Sequence, residues 1–143
     1  MRLVVNGGFD PLHSGHIEFI ELLKALGSVT IILNDDETLV RKKGYVFLPL
    51  KERLSVIQHI SGVEQVIVVD SKGDNQVAVL EILESLRPCA LVVDDGSNSA
   101  AKELTAGCRE LGIAVIRVEH DNRVSSSQMV AKGYENFKNA TKN

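Results

Sequence analysis

The sequence predicts an α/β fold, in which a doubly wound sheet of about five parallel strands carries helices on both faces. Five short runs of β-branched and aliphatic residues are nearly continuous rather than alternating, which is typical of strands buried on both faces. Segments with helical spacing of apolar residues separate these runs, and such alternation implies right-handed crossovers. The predicted strands lie at residues 3–5, 29–33, 66–69, 90–93 and 114–118.

Four apolar stripes predict the helices between the strands. The stripes are Ile17, Ile20, Leu23 and Leu26; Leu50, Leu54 and Ile57; Val79, Leu83 and Leu86; and Leu104, Cys108 and Leu111. Ser14 is the predicted cap of the first helix, and Pro49 is predicted in the first turn of the second. Gly27 and Gly112 follow the last apolar positions of two helices, where glycine commonly ends a helix.

The connection between the second strand and the second helix, residues 38–49, is predicted to be one long irregular loop. It carries Arg41, Lys42 and Lys43, which form the densest positive cluster in the sequence. Long loops in compact domains are usually functional or disordered. A basic loop near the carboxyl edge of the sheet favours anion binding, and a solvated charged surface is the alternative.

The length of 143 residues fits one domain, which we expect at residues 1–132, followed by a polar tail at 133–143. The tail is expected to be either frayed or docked through Tyr134 and Phe137.

The net charge of −3, with scattered basic residues, argues against a nucleic-acid partner. Apolar runs are too short for a signal peptide or a membrane span, and the two cysteines lack CxxC spacing. We therefore expect a cytoplasmic protein with no membrane partner.

A glycine-rich turn with two histidines follows the first predicted strand. Ligands of open α/β sheets bind where strands end and helices begin, and a helix N-terminus attracts phosphate. Gly7 and Gly8 allow a backbone to approach a ligand closely, and Gly15 removes a side chain beneath it. His13 and His16 are three residues apart, so they project together from the first helical turn. The turn predicts a phosphate site that is neither a Walker loop nor a GxGxxG fingerprint; metal ligation and ordinary polar histidines are the alternatives.

The run Gly8-Phe9-Asp10-Pro11-Leu12-His13-Ser14-Gly15-His16 resembles the FDxxHxGH signature of the cytidylyltransferase-like nucleotidyltransferase superfamily. The middle of the chain, at residues 33–36, 41–44 and 49–53, is similar to heptose-1-phosphate adenylyltransferases and glycerol-3-phosphate cytidylyltransferases. The Asn-Gly before the signature favours the former. Residues 124–127 resemble the serine-rich element with which these families hold nucleotide phosphates. The resemblance covers about residues 3–132 and implies a Rossmann-like fold.

The resemblance also implies a reaction. The phosphate of a small sugar or polyol attacks the α-phosphorus of ATP or CTP, and pyrophosphate leaves. Such a transfer needs no protein nucleophile, because positioning and electrostatic stabilisation by fixed donors and cations carry the catalysis. Mg²⁺ is expected with the triphosphate, and Asp10 is expected to fix the loop or to help place the ion.

The resemblance assigns roles to individual residues. His13, His16 and Lys43 are the expected catalytic residues, and Lys43 is chosen because it aligns with the lysine of the resembling family. The expected nucleotide-binding residues are Gly7, Gly8, Phe9, Asp10, Gly15, Ser125, Ser126 and Ser127. The expected ligands of the substrate phosphate are Arg41, Lys42 and Arg53. Arg53 has an alternative interpretation as an exposed arginine near a helix start, and Ser125 with Gln128 also matches a capping box.

The sequence departs from the family pattern at residues 94–98, which read Asp-Asp-Gly-Ser-Asn where the families carry a GDD- or GGD-type turn. Arg123 is the nearest counterpart of the arginine that leads the last family element, but it stands three positions out of register. Two other functions stay open: a nucleotide-binding sensor without turnover, and a metal-dependent hydrolase using His13, His16 and Asp10. A homodimer that completes the acceptor site is a further expectation, because one domain occupies nearly the whole chain.

Overall fold

Five parallel strands form one sheet in the order β3-β2-β1-β4-β5 in the computed structural model, which describes residues 1–94, 99–119 and 124–142. The strands are β1 (Arg2–Gly7), β2 (Ser28–Leu33), β3 (Val63–Val68), β4 (Cys89–Asp94) and β5 (Ala114–Val118). The helices are α1 (Ser14–Lys24), α2 (Asp36–Lys43), α3 (Leu50–Gln58), α4 (Asn75–Ser85), α5 (Ser99–Leu111) and α6 (Ser126–Ala140). All five predicted strands are present.

The central strand β1 pairs with β2 on one side and with β4 on the other. The chain winds outward from β1 to β3, and α4 then returns it to β4 on the other side of β1. The strand order therefore reverses between β1 and β4. Ligands of doubly wound sheets bind at this switch point, beyond the carboxyl ends of the strands. The predicted Rossmann-like α/β fold is confirmed.

Two apolar layers cover the faces of the sheet. On one face α4 and α5 pack Val79, Leu83 and Cys108 against the strands. On the other face α1 and α3 pack Leu23 and Ile57. All five of these side chains are at most 1% exposed. Burying one such side chain fully stabilises the fold by about 2 kcal/mol, so the layers hold the loops at the carboxyl edge in place.

The prediction of an irregular loop at residues 38–49 is wrong, because helix α2 occupies its first half. The Asp35 side chain caps α2 by accepting a hydrogen bond from the Thr38 N–H at 2.9 Å. Glu37 and Arg41 form an ion pair one turn apart at 3.3 Å. Gly44 ends the helix in the left-handed region, at φ +85°, which glycine adopts readily. The basic cluster is thus the last turn of a helix, where cations are favoured by the helix dipole.

The C-terminal segment is helical, since α6 continues without a break across the expected boundary at residue 132. No residue of α6 is buried. Tyr134 and Phe137 are 65% and 67% exposed, so these rings do not dock the segment. Among the described residues, no helix combines the length and apolar character that a bilayer span requires.

Candidate active site

His13 ends the loop between β1 and α1, His16 lies in the first turn of α1, and each histidine helps to cap the helix. We call residues 8–16 the histidine loop. Nδ1 of His13 accepts a hydrogen bond from the Gly15 N–H at 3.1 Å, and Nδ1 of His16 accepts one from the His13 N–H at 3.1 Å. The predicted cap at Ser14 is therefore wrong, because His13 occupies that position. Since both Nδ1 atoms accept, these bonds assign the ring proton to Nε2. Each imidazole then carries an N–H donor at Nε2.

The two imidazoles lie against each other, as the spacing predicted. Their ring centroids are 3.8 Å apart at an interplanar angle of 26°. The Phe9 ring lies 4.9 Å from the His16 ring and is itself buried. The Phe9 backbone has φ +50°, a conformation that costs a bulky residue free energy and that clusters at functional sites. Packing of the Phe9 ring therefore holds a strained loop in the shape that stacks the histidines.

The packing of α2 against the histidine loop leaves no room for a side chain at Gly8. A Cβ at this position would collide with the Leu39 side chain on α2. Leu39 is only 4% exposed, so it has little room to move. The absent side chain lets α2 press directly onto the histidine loop.

Asp10 ties the histidine loop to the segment that follows α2. Its carboxylate accepts hydrogen bonds from the Phe47 N–H at 2.7 Å and the Leu48 N–H at 2.5 Å. Lys43 donates to the Asp10 carbonyl oxygen at 2.7 Å and pairs with its carboxylate at 3.1 Å. The Lys43 ammonium also lies 4.8 Å from the Tyr45 ring centroid. Asp10 and Lys43 thus join the β1–α1 loop to the segment after α2.

Asp10 does not fit a role as a metal ligand. Both of its carboxylate oxygens are already hydrogen-bonded, and its side chain is 1% exposed. Of the two expected roles, the structure favours fixing the loop. In the part of the chain that the structure describes, no group of three or more His, Cys, Asp or Glu side chains converges to hold a metal ion.

Arg53 is a buried clamp rather than the predicted ligand of a substrate phosphate. Its side chain is fully buried, whereas a phosphate ligand must reach the cleft. Its Nε donates to the Leu48 carbonyl at 2.9 Å, and one Nη donates to the carbonyls of Gly8 and Asn34 at 3.0 and 2.7 Å. The other Nη donates to Asp36 at 2.6 Å. Four of the five N–H donors are engaged, so the guanidinium positions the loops around the site.

The N-terminus of α6 meets the histidine loop. Ser125 caps α6 by accepting a hydrogen bond from the Gln128 N–H at 3.1 Å, as the capping pattern predicted. The Ser126 hydroxyl donates to the Pro11 carbonyl oxygen at 2.7 Å, and Ser127 is exposed in the first turn. The N-termini of α1 and α6 therefore converge. Each helix start adds a partial positive charge where a phosphate can bind.

A cleft of about 480 Å³ opens at the switch point between β1 and β4. Its lining residue Asn6 lies just before the histidine loop and its lining residue Lys42 precedes Lys43, but His13, His16 and Lys43 are not among the residues that line it. Its apolar lining consists of Val5, Phe19, Val92, Val93, Ala100, Ala101 and Leu104. Its polar lining consists of Asn6, Asn34, Thr38, Arg41, Lys42, Asp74, Asn75, Gln76 and Asp94, with Gly73 between them.

Residues 4–132 match the cytidylyltransferase-like family. The chain belongs to this family. The protein is therefore a nucleotidyltransferase.

Several relatives of this nucleotidyltransferase are known. The FAD synthase of Pyrococcus abyssi is 29% identical over 144 residues, which is 96% of this chain and 95% of the relative. The bifunctional protein HldE of Desulfatibacillum aliphaticivorans is 29% identical over 133 residues, which is 90% of this chain but 26% of that protein. The solved lipopolysaccharide core biosynthesis protein from Thermoplasma volcanium has a TM-score of 0.67 at 25% identity, covering 85% of this chain and 96% of its own.

Two of the predicted phosphate ligands line the cleft of the nucleotidyltransferase. Arg41 donates to the Gly73 carbonyl at 2.7 Å and to the Ser71 hydroxyl at 3.2 Å, so it ties α2 to the loop before α4. The pKa of Lys42 lies below its ordinary value, because its surroundings desolvate the ammonium and because the positive charge of Lys43 is adjacent. A bound anion would offset both effects. This pair of cations makes the cleft suitable for a phosphate.

Sequence reasoning missed most of the polar lining, above all Asn34, Asn75 and Gln76. Asn34 directly follows β2, and the other two begin α4 shortly after β3. The rule that ligands bind beyond the carboxyl ends of parallel strands could have found them. Asn75 and Gln76 were missed because no recognised motif contains them, whereas Asn34 lies in the resembling run at residues 33–36 but was given no role.

The carboxylate of Asp35 connects two segments beside the polar lining of the cleft. It accepts hydrogen bonds from the Thr38 N–H and from the backbone and hydroxyl of Ser71. Burial alone would raise the pKa of Asp35, but these hydrogen bonds outweigh burial and lower it to about 2. The anion therefore links the start of α2 to the loop after β3. The predicted turn at residues 95–98 and the predicted counterpart Arg123 lie outside the described residues.

Proposed function

We propose that this nucleotidyltransferase transfers AMP from ATP to the phosphate of a small acceptor bound in the cleft. One observation carries the proposal: the stacked pair His13 and His16 lies where the N-termini of α1 and α6 converge, just after the cleft-lining residue Asn6 at the end of β1. Adenylyl rather than cytidylyl transfer is chosen because the FAD synthase relatives make an adenine dinucleotide.

In this proposal the Nε2–H groups of His13 and His16 donate hydrogen bonds to the α- and β-phosphates. An acceptor phosphate oxygen attacks the α-phosphorus, a P–O bond forms there, and the bond from the α-phosphorus to the bridging oxygen breaks. Pyrophosphate leaves with the electron pair of that bond. Donors that are fixed before the reaction stabilise the developing charge without reorganisation. Lys43 adds a positive charge at the edge of the same loop.

The relatives suggest two acceptor classes. FAD is AMP joined to FMN through a phosphoanhydride. The similarity to FAD synthases therefore suggests FMN as the first candidate acceptor. The second candidate acceptor is a sugar phosphate, which the similarity to the lipopolysaccharide core biosynthesis protein suggests. Either acceptor would place its phosphate near Arg41 and Lys42, the cations of the cleft.

Mg²⁺ is proposed to enter with ATP as the counter-ion of the triphosphate. Asp10 is fully engaged, so the phosphate oxygens rather than this carboxylate would hold the ion.

The test is pyrophosphate release with Mg²⁺, ATP or CTP, and FMN, a hexose 1-phosphate or glycerol 3-phosphate. We expect release with ATP and at least one acceptor, and little with CTP. The double variant His13→Asn with His16→Asn should abolish it, while His59→Asn, which changes an exposed histidine just after the end of α3, should not. ATP binding without release for any acceptor would instead favour the sensor function.

A further inference from the structure

Two side-chain oxygens in the cleft lack hydrogen-bond partners. They are Oδ1 of Asn75 and Oε1 of Gln76, consecutive residues at the start of α4. Both atoms are buried, and both residues line the cleft. A buried polar atom that stays unpaired destabilises the fold, so native proteins rarely keep one without a reason.

The orientation of both amides is set by their nitrogen atoms. Nδ2 of Asn75 donates to Oδ1 of Asn34 at 3.2 Å, and that oxygen also accepts from Nδ2 of Asn6 at 2.9 Å. Nε2 of Gln76 donates to the Ala100 carbonyl oxygen at 2.9 Å. Exchanging the nitrogen and oxygen of either amide would set two acceptors against each other. The unpaired atoms are therefore oxygens, and a ligand can pair with them only through its own O–H or N–H donors.

We propose that Asn75 and Gln76 select the acceptor by accepting hydrogen bonds from hydroxyl groups at its non-phosphate end. This inference rests on the proposed function, and it names the acceptor class as a sugar or polyol phosphate. Asp74 and Asp94 line the same cleft, so the polar wall is rich in oxygens that accept hydrogen bonds. A polyol presents a donor on each carbon. FMN carries its ribityl hydroxyls between the phosphate and the ring, but its non-phosphate end is the flavin ring, which presents one ring N–H and several acceptors and so fits such a wall less well.

The experiment measures kcat and KM for each substrate with ATP and four acceptors: a hexose 1-phosphate, its deoxy analogue, glycerol 3-phosphate and FMN. The variants are Gln76→Met and Asn75→Leu, which remove the oxygens at similar side-chain volume. The matched control is Gln58→Met, which removes an exposed amide on α3. We expect the two cleft variants to raise the KM for the preferred acceptor by roughly tenfold, the effect of one lost hydrogen bond, with the KM for ATP unchanged.

The deoxy analogue tests the same contact without any change to the protein. It should lose roughly tenfold in kcat/KM with the unmodified enzyme and should lose little more with Gln76→Met, because the oxygen is then already absent. The kcat/KM of the unmodified enzyme for the deoxy analogue shows whether the missing hydroxyl matters, even where a variant melts at a much lower temperature than the parent.

The outcomes separate this inference from the proposed function. Turnover with none of the acceptors overturns both. Turnover with an acceptor KM that neither variant changes, together with an equally good deoxy analogue, overturns the inference and leaves the proposed function standing. Preference for FMN over every sugar and polyol phosphate overturns the selection of hydroxyl groups in the same way.

Discussion

The Lys43 ammonium donates to the carbonyl oxygen of Asp10 at 2.7 Å and pairs with its carboxylate at 3.1 Å. The Asp10 side chain is 1% exposed and that of Lys43 is 20% exposed, so the pair is sheltered from solvent. Because Asp10 lies in the histidine loop and Lys43 ends α2, this contact links the position of the basic helix turn to the position of the histidines.

The substitution Lys43→Met should therefore affect both the loop and the reaction. We expect kcat to fall by roughly 10²-fold, because a positive charge beside the phosphates is lost and the Asp10 carboxylate loses its partner. Steady-state kinetics measure this change, and Lys138→Met, on the exposed face of α6, is the control. An unchanged kcat would show that Lys43 takes no part in transfer.

The substitution His16→Ala removes one of the two stacked imidazoles. We expect kcat to fall by roughly 10²–10³-fold, as for the loss of one preorganised donor. Stability should fall by about 1 kcal/mol, because Nδ1 no longer accepts from the His13 N–H at the start of α1. Activity assays and urea unfolding measure the two effects separately. Near-normal turnover of a folded variant would remove His16 from the site.

The substitution Arg53→Met tests the clamp. It leaves the carbonyl oxygens of Gly8, Asn34 and Leu48 without their donor, so the free energy of unfolding should fall by about 2–4 kcal/mol. Urea denaturation measures the loss, and Arg109→Met, an exposed arginine on α5, should change stability little. If Arg53 instead bound a substrate phosphate, the substitution would raise KM and leave the unfolding midpoint where it was.

The substitution Asp35→Asn tests the low pKa. In the folded protein the pKa is about 2, against an ordinary value of 3.8. The ionised carboxylate therefore contributes stability above about pH 4, and this contribution is lost as the pH falls toward 2. Since Asp35 is partly exposed, we expect a contribution of about 1 kcal/mol at neutral pH.

Denaturant unfolding at several pH values should show a smaller acid-induced loss of stability in Asp35→Asn than in the parent. Asp70→Asn, an exposed carboxylate, is the control. Identical acid dependence in parent and Asp35→Asn would contradict the assigned hydrogen bonds.

The regular parts of the fold could be predicted because their patterns are local. The run at 90–93 is apolar at every position and the run at 29–33 at every position except Thr30, and such runs are typical of strands buried on both faces. That His13 and His16 project together could be predicted from their spacing of three residues, whereas their stacking also depends on the extended backbone of His13 and on the loop around Phe9. Helix α2 could also have been predicted, because Asp35 and Gly44 mark its two ends. The basic residues of its last turn were instead interpreted as part of a loop.

The remaining features depend on contacts between distant segments, which a local pattern does not contain. Whether an arginine in a helix is exposed or buried depends on what lies above it, and Arg53 is covered by two loops from elsewhere in the chain. The same holds for Asp10, whose backbone partners lie more than thirty positions away. The unpaired oxygens of Asn75 and Gln76 become visible only when every other donor and acceptor has been placed.

The Arg53 clamp also bears on the order in which the molecule assembles. Its guanidinium reaches carbonyl oxygens 45 and 19 positions away, at the ends of β1 and β2. These contacts cost the entropy of closing the intervening loops, and they exist only while α3 is docked on the sheet. The histidine loop therefore takes its final shape only once α3 has docked. During refolding, recovery of catalysis would mark the completion of this half of the sheet rather than its beginning.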